Sequence, residues 1–307
     1  MNALPYFFLI PSILLSVSNS LLLHRSSSWG MRGIGDMLLF NAAVSGVWTL
    51  IMATWVAAAH SVHFDRGTVL FGLIYAGILC SFQYFKMRAM ATGPVSLTGL
   101  IACCAFIPVV IYSRVVYGEI PGVCQIVGMV GIVASLALSL LAPGEGRKPA
   151  LRWGFFCVLF FAAGVGVGIL YREFGRSSCA ENINEMFLVA SALSAVFFLM
   201  LSFTVRNREG SRMPVIPRGA VPFVFLCGLT GCFYIRMNIT LSAQIPSAIF
   251  FPVFNGSSVF LTALGGLIFF GEKPTRRQRL GLTLGILFLL INGCGDLILN
   301  TFLKTGS

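Results

Sequence analysis

Long apolar runs separated by short polar segments dominate the chain. Each run is close to the 20 or so residues that a helix needs to cross about 30 Å of hydrocarbon. The runs are continuous rather than alternating, which favours helices over the strands of a barrel. The pattern therefore predicts an all-α polytopic membrane protein with ten transmembrane helices. The predicted helices cover residues 4–23, 36–59, 68–91, 95–117, 122–141, 151–171, 186–205, 219–242, 246–270 and 279–299.

Prolines mark where these helices end or bend. The segment Thr92-Gly93-Pro94 is expected to end the third helix, because proline disfavours helical backbone in the residue before it. Pro108 is expected to interrupt the fourth helix and Pro252 to bend the ninth, since proline removes a backbone donor.

Two stretches of the chain repeat each other. Residues 118–128 and 271–281 share five positions at the same spacing, and Tyr84-Phe85-Lys86-Met87 upstream pairs with Tyr234-Ile235-Arg236-Met237. The shared positions are Gly118/Gly271, Glu119/Glu272, Pro121/Pro274, Gln125/Gln278 and Gly128/Gly281. Two matched landmarks in the same order indicate a duplication, which must be recognised before a fold is named.

The duplication divides the chain into a five-helix repeat over residues 1–141, a linker over 142–150 and a second five-helix repeat over 151–307. An odd number of helices in each repeat makes the second half insert upside down. The sequence thus predicts two inverted repeats, an architecture that places substrates near the middle of the bilayer, between the halves.

Composition agrees with a membrane protein that has little mass outside the bilayer. Hydrophobic residues make up 57% of the 307 residues, charged residues only 10%, and the mean hydropathy is +0.90. Soluble domains carry about 25% charged residues. The net charge of +11 comes from basic residues between apolar runs, which indicates topology determinants rather than nucleic-acid binding.

The sequence offers no sign of cofactor or metal chemistry. The nine cysteines include no CxxC pair and are not grouped with the three histidines, so neither a metal site nor a disulfide framework is expected. No nucleophile–base pair or cofactor motif is present either. We therefore expect a protein that is not an enzyme.

The duplicated Gly-Glu-x-Pro turns have a structural explanation. Gly118 and Gly271 suit a helix end in left-handed backbone, and Pro121 and Pro274 suit the first turn of the following helix. Glu119 and Glu272 would then lie at the positive end of that following helix. A gating or coupling role for the two glutamates is the alternative.

Lys86 and Arg236 are the main candidates for substrate contact. They occupy equivalent positions in the two repeats, inside the third and eighth predicted helices. Charges within spanning helices are costly and usually face a protein interior or a wet cavity. Two cations with no acidic neighbour in sequence favour an anionic substrate held by charge-assisted hydrogen bonds. The alternative is that both side chains reach to the lipid headgroups along their apolar stems.

Further polar residues inside the apolar runs are secondary candidates. Tyr84 and Tyr234 precede the two cations by two residues, so they are either substrate contacts or interfacial anchors. A second group either contacts substrate or makes hydrogen bonds between helices. This group is Asn238, Asn255, Ser257 and Ser258.

Two five-helix halves, each ending in helix, Gly-Glu-x-Pro-x-x-x-Gln-x-x-Gly and helix, resemble the drug/metabolite transporter superfamily in its ten-helix EamA-like branch. The resemblance covers nearly the whole chain. It implies a transporter with a central cavity that opens alternately to the two sides. Members of the family export amino acids or other metabolites, exchange phosphorylated sugars or nucleotide sugars, or take up small solutes.

Charge gives an orientation. If ten helices span, fifteen of the 21 Lys and Arg residues collect on one side, which the positive-inside rule places in the cytoplasm with both termini outside. The resemblance instead implies termini inside. The compact chain is expected in a bacterial inner membrane, and the sequence leaves the oligomeric state open, a homodimer included.

The leading hypothesis is a secondary transporter for a small anionic or zwitterionic metabolite, working by alternating access. One alternative is a broad exporter of neutral or amphipathic compounds, whose cavity the 28 phenylalanines would line. Another is a non-transporting membrane partner or lipid-handling protein.

Overall fold

The fold is all-helical throughout the described part of the chain. A computed structural model describes residues 4–27, 33–58, 64–93, 95–140, 151–209, 213–269 and 275–305. Two short 3-10 turns, Ala180–Asn182 and Arg218–Ala220, accompany the α-helices. The α-helices are α1 (Leu4–Ser27), α2 (Ile34–Ala58), α3 (Arg66–Thr92), α4 (Val95–Cys103), α5 (Phe106–Tyr117), α6 (Val123–Leu140), α7 (Leu151–Arg176), α8 (Ile183–Glu209), α9 (Val221–Gln244), α10 (Ser247–Phe269) and α11 (Arg276–Thr305).

These helices make the chain a helical membrane protein. Within the described residues, nine segments are long and apolar enough to cross a membrane, and Val123–Ser139 is a shorter apolar helix. The predicted ten apolar segments are therefore present. The fourth is divided into two helices, α4 and α5.

Pro108 explains that division, although the break does not lie at the proline. The helix is interrupted at Cys104 and Ala105, because Pro108 has no N–H to donate to the Cys104 carbonyl four residues earlier. The Ile107 N–H bonds to that carbonyl instead, at 3.0 Å, in the tighter 3-10 pattern. In α10 the helix runs through Pro252 without interruption.

The chain forms two compact units, and each unit draws on both predicted repeats. One contains residues 1–9, 84–169 and 241–307, and the other contains residues 10–83 and 170–240. The repeat boundaries at 141 and 151 therefore do not coincide with the compact units. The duplication stays a prediction at the level of sequence.

In the first unit α6 packs along α11, and both helices are the last of their predicted repeats. The helices are antiparallel, since the start of α6 at Cys124 meets Gly295 in the second half of α11, while Ser139 near the end of α6 meets Gly281 near the start of α11. The contacts are reciprocal: Gly128 packs on Asn292, and its motif counterpart Gly281 packs on Ser139. Ser139 and Asn292 each lie eleven residues beyond the glycine of their own half.

In the second unit α2 packs along α8, and these are the second helices of the two predicted repeats. Near the middle, the Thr49 hydroxyl donates to the Ser191 hydroxyl over 3.2 Å. Near the start of α2, the Ser202 hydroxyl donates to the Gly35 carbonyl over 2.9 Å. Moving from Gly35 to Thr49 along α2, the contacts on α8 move back from Ser202 to Ser191, so this pair is antiparallel as well.

The first Gly-Glu-x-Pro turn is a structural hairpin with one unexpected contact. Gly118 has a φ of 67°, as predicted, and its N–H bonds to the Arg114 carbonyl to close α5. Glu119 also contacts a helix that is distant in sequence. Its carboxylate accepts hydrogen bonds from the Ser247 backbone N–H (2.9 Å) and hydroxyl (2.7 Å), at the start of α10. The predicted position of Glu119 at the positive end of α6 stays a prediction.

The glutamine of the motif caps the helix that follows. The Gln125 side chain accepts from the Gly122 N–H at 3.2 Å, just before α6. In the second repeat, Gln278 accepts from the Thr275 N–H (2.9 Å), and the Thr275 hydroxyl accepts from the Gln278 N–H (3.3 Å), which completes a capping box. Pro121 lies two residues before the first residue of α6 rather than within its first turn. Gly271, Glu272 and Pro274 lie outside the described residues.

Candidate functional site

In the second unit, Arg236 is held by side chains of two other helices. Its Nε donates to the Asn184 side-chain oxygen over 2.9 Å. The guanidinium carbon lies 4.8 Å from the centre of the Trp55 ring, a cation–π distance. Asn184 is in the first turn of α8 and Trp55 in the last turn of α2, so the half-buried guanidinium lies level with these helix ends.

Within the described residues, the contacts of Arg236 are with neutral groups. Among the residues that the structure describes, no carboxylate forms an ion pair with it. An amide oxygen and an aromatic face orient a guanidinium without cancelling its charge. Anion binding at this position stays a prediction.

The remaining candidate residues of the second unit are Asn238 and Tyr234. The Ser12 hydroxyl donates to the Asn238 side-chain oxygen over 2.7 Å, joining α1 to α9 in a buried site. Tyr75 and Tyr171, on α3 and α7, share a hydroxyl hydrogen bond of 2.9 Å. Tyr234 is half-buried on α9. Asn238 therefore has an interhelical partner, while substrate contact by Tyr234 stays a prediction.

In the first unit, Lys86 is half-buried on α3, and the described residues provide it with no hydrogen-bond or ion-pair partner. Its neighbour Tyr84 is engaged locally. The Tyr84 hydroxyl accepts from Arg88 Nε over 3.1 Å, and the Arg88 guanidinium carbon lies 5.4 Å from the Tyr84 ring centre. Tyr84 therefore orients Arg88, one helical turn later on α3.

The polar residues predicted on α10 lie within about one turn of that helix. Asn255, Ser257 and Ser258 are all half-buried. Ser257 lines an apolar crevice of about 290 Å³ between α10 and α11, together with Phe260 and Leu289. Lys86 and these three residues belong to the first unit, and Arg236, Tyr234 and Asn238 belong to the second. Their convergence on one substrate cavity stays a prediction.

Sequence reasoning missed two charged residues that the fold buries. Arg172 was expected in a loop, but α7 continues to Arg176 and leaves Arg172 fully buried. Glu185 was expected in the same loop. It lies in the first turn of α8 and is 6% exposed, beside the residue that binds Arg236. The positive end of a helix is a favourable place for a carboxylate. Neither residue stands inside an apolar run, so hydropathy gave no signal.

Comparison with known proteins supports the fold and no more. No protein-family model and no curated protein matches the sequence. A solved structure described only as "Crystal structure of protein" superposes on this chain with a TM-score of 0.72, over 95% of this chain and 96% of that one. The two sequences are 18% identical, so the likeness concerns the fold alone.

Proposed function

We propose that the chain is a secondary transporter that moves a small anionic or zwitterionic metabolite across a membrane by alternating access. The proposal includes membership of the drug/metabolite transporter superfamily in its EamA-like branch, location in a bacterial inner membrane and no catalytic role. The observation that carries it is Arg236, a charge inside a spanning helix, oriented by Asn184 and Trp55 with no described acidic partner. Such a charge marks a substrate or ion pathway by default.

Two inverted repeats are part of the proposal. Equivalent helices of repeats that insert in opposite directions must run antiparallel, and both α6 with α11 and α2 with α8 do so. The reciprocal contacts of Gly128 and Gly281 support a pseudo-two-fold relation between the last helices. Transporters built in this way place their substrate sites between the repeats.

The chemistry at Arg236 favours a carboxylate or phosphate on the substrate. A guanidinium presents its donors in a planar fork that matches both groups. We propose that Lys86 supplies the second positive charge from the other repeat. Hydrogen bonds to charged groups are worth about 1.5–3 kcal/mol, so losing either cation should weaken anion binding roughly 10- to 100-fold.

Thermal unfolding of the purified protein against a panel of metabolites tests this function. The panel contains phosphorylated sugars, dicarboxylates, nucleotides, amino acids and hydrophobic cations. A ligand at 100 times its dissociation constant stabilises the folded state by about 2.7 kcal/mol. We expect stabilisation by anions or zwitterions, reduced in Arg236→Gln and in Lys86→Gln.

Arg114→Gln is the matched control, because Arg114 is exposed in the last turn of α5 and lies outside the proposed site. It should respond to the ligand as the unsubstituted protein does. Stabilisation by neutral or cationic compounds alone, unchanged in the Arg236 and Lys86 variants, would contradict the proposal and favour a broad exporter.

A further inference from the structure

A groove in the first unit combines two arginines with an apolar wall. It encloses about 960 Å³ between the last turns of α3 and the first turns of α7. Its lining includes the polar Arg88, Thr92 and Arg152 and the apolar Phe155, Phe156 and Val158. None of the residues that the structure places along this groove is acidic.

The two arginines differ in how they are held. Arg88 is half-buried and is fixed by the Tyr84 hydroxyl and ring. Arg152 is exposed, as the second residue of α7, and the described part of the chain gives it no acidic partner. One fixed and one adaptable guanidinium lining the same groove suit a phosphate group, which accepts hydrogen bonds from several directions.

Along the axis of α7, the arginine and the apolar residues of the groove lie at different heights. Val158 follows Arg152 by six residues, which is about 9 Å along a helix. Phe155 and Val158 are 62% and 66% exposed, so apolar surface continues from the arginines toward the interior of the span. A charged rim followed by an exposed apolar wall matches a lipid that has a headgroup and acyl chains, whereas a soluble phosphate would leave the wall uncovered.

We infer that this groove binds an anionic phospholipid, with its phosphate between Arg88 and Arg152 and an acyl chain along Phe155 and Val158. Both arginines belong to the basic side of the chain, which the positive-inside rule places in the cytoplasm. The cytoplasmic leaflet carries the anionic lipids, and basic pockets between spanning helices bind their headgroups. The inference requires no transport activity.

Thermal unfolding of the purified full chain in a neutral detergent tests the site. The additives are phosphatidylglycerol, phosphatidylcholine and glycerol 3-phosphate, the last being a headgroup without chains. We expect phosphatidylglycerol alone to raise the Tm. The Arg152→Gln variant should need about fivefold more phosphatidylglycerol for the same rise, and Arg152→Lys should restore most of the effect.

Two control variants make the outcome decisive. Arg114→Gln and Arg236→Gln should keep the full lipid effect, and the second separates the lipid site from the proposed substrate site. Arg152 is exposed, so its replacement gives a folded protein even if an Arg88→Gln variant does not fold. An equal rise with phosphatidylcholine, an equal rise with glycerol 3-phosphate, or an unchanged phosphatidylglycerol effect in Arg152→Gln would each overturn the inference.

Discussion

Asp65 holds its negative charge through several hydrogen bonds just before α3. Its carboxylate accepts from the Thr68 backbone N–H (3.2 Å) and the Thr68 hydroxyl, which caps the first turn of the helix. The Cys179 thiol (3.2 Å) and the Asn182 amide (3.3 Å) donate as well. These bonds, led by that of the Thr68 hydroxyl, lower the pKa of Asp65 from 3.8 to about 2.

A pKa lowered in the folded state makes stability depend on acid pH. The ionised carboxylate stabilises the fold above its unfolded pKa near 4, and the stabilisation is lost as pH falls through about 2. The Tm difference between the unsubstituted protein and Asp65→Asn should therefore be constant above pH 4 and shrink between pH 4 and pH 2. In Thr68→Ala, which keeps the carboxylate but removes the hydroxyl that lowers its pKa most, the loss should be smaller and should be complete at a higher pH. A difference that does not change with pH would contradict this account.

At the level of single residues, the sequence was enough to single out Arg236 on α9, but not the residues that surround it. Arg236 was recognisable because an arginine inside an apolar run is rare. Its partners Asn184 and Trp55 come from helices that are distant in sequence, so only the packing of α2, α8 and α9 brings them together. The same holds for Glu119 and Ser247, which are 128 residues apart.

Among the helices, the close approach of α6 and α11 depends on glycine. A Cβ on Gly128 would lie 2.5 Å from the Asn292 Cβ and 2.7 Å from its Cα. The obstructing atoms include backbone, which cannot rotate away. Small residues let spanning helices approach in this way, and packing rather than hydrophobicity then stabilises the pair.

Gly128→Ala should therefore destabilise the fold by about 1–3 kcal/mol, the usual cost of overpacking. Gly99→Ala is the matched control, because a Cβ on Gly99 in α4 meets nothing within 4 Å. That control should be neutral or stabilising by about 0.5–1 kcal/mol, since alanine favours helix over glycine. Thermal unfolding in one detergent compares the two. Equal stabilities would show that α6 and α11 do not pack as described.

Helix number was predictable because each span needs its own apolar run, whereas helix ends were less so. The break at Cys104 and Ala105 lies upstream of Pro108, because proline has no N–H to donate to the carbonyl four residues earlier. The extension of α7 through Arg172 was missed, since a charged residue after an apolar run resembles a loop. Burial by neighbouring helices overrides that signal.

On the scale of the whole molecule, the duplication predicted from the sequence does not coincide with the compact units. Each unit takes segments from both predicted repeats, with boundaries just before Tyr84 and Leu241. The duplicated motif turned out to serve the fold through Gly118, the caps at Gln125 and Gln278, and the packing of Gly128 and Gly281. These roles follow from general rules of helix ends and close packing. The substrate does not follow from them.

The inverted arrangement of the two repeats is the central claim, and side-specific cysteine labelling tests it most directly. Val123 and Arg276 are exposed, and they are equivalent positions that begin α6 and α11. Each would be changed to cysteine in a chain whose nine native cysteines are replaced, and then treated with a membrane-impermeant maleimide.

We predict labelling of Val123→Cys in intact cells and of Arg276→Cys only after the membrane is opened, since Arg276 belongs to the basic side. If Arg276→Cys is labelled in intact cells and Val123→Cys only after the membrane is opened, the repeats are still inverted, but the basic side faces outward. Labelling of both positions from the same side would contradict the inverted repeat and, with it, the account of the protein as an alternating-access transporter.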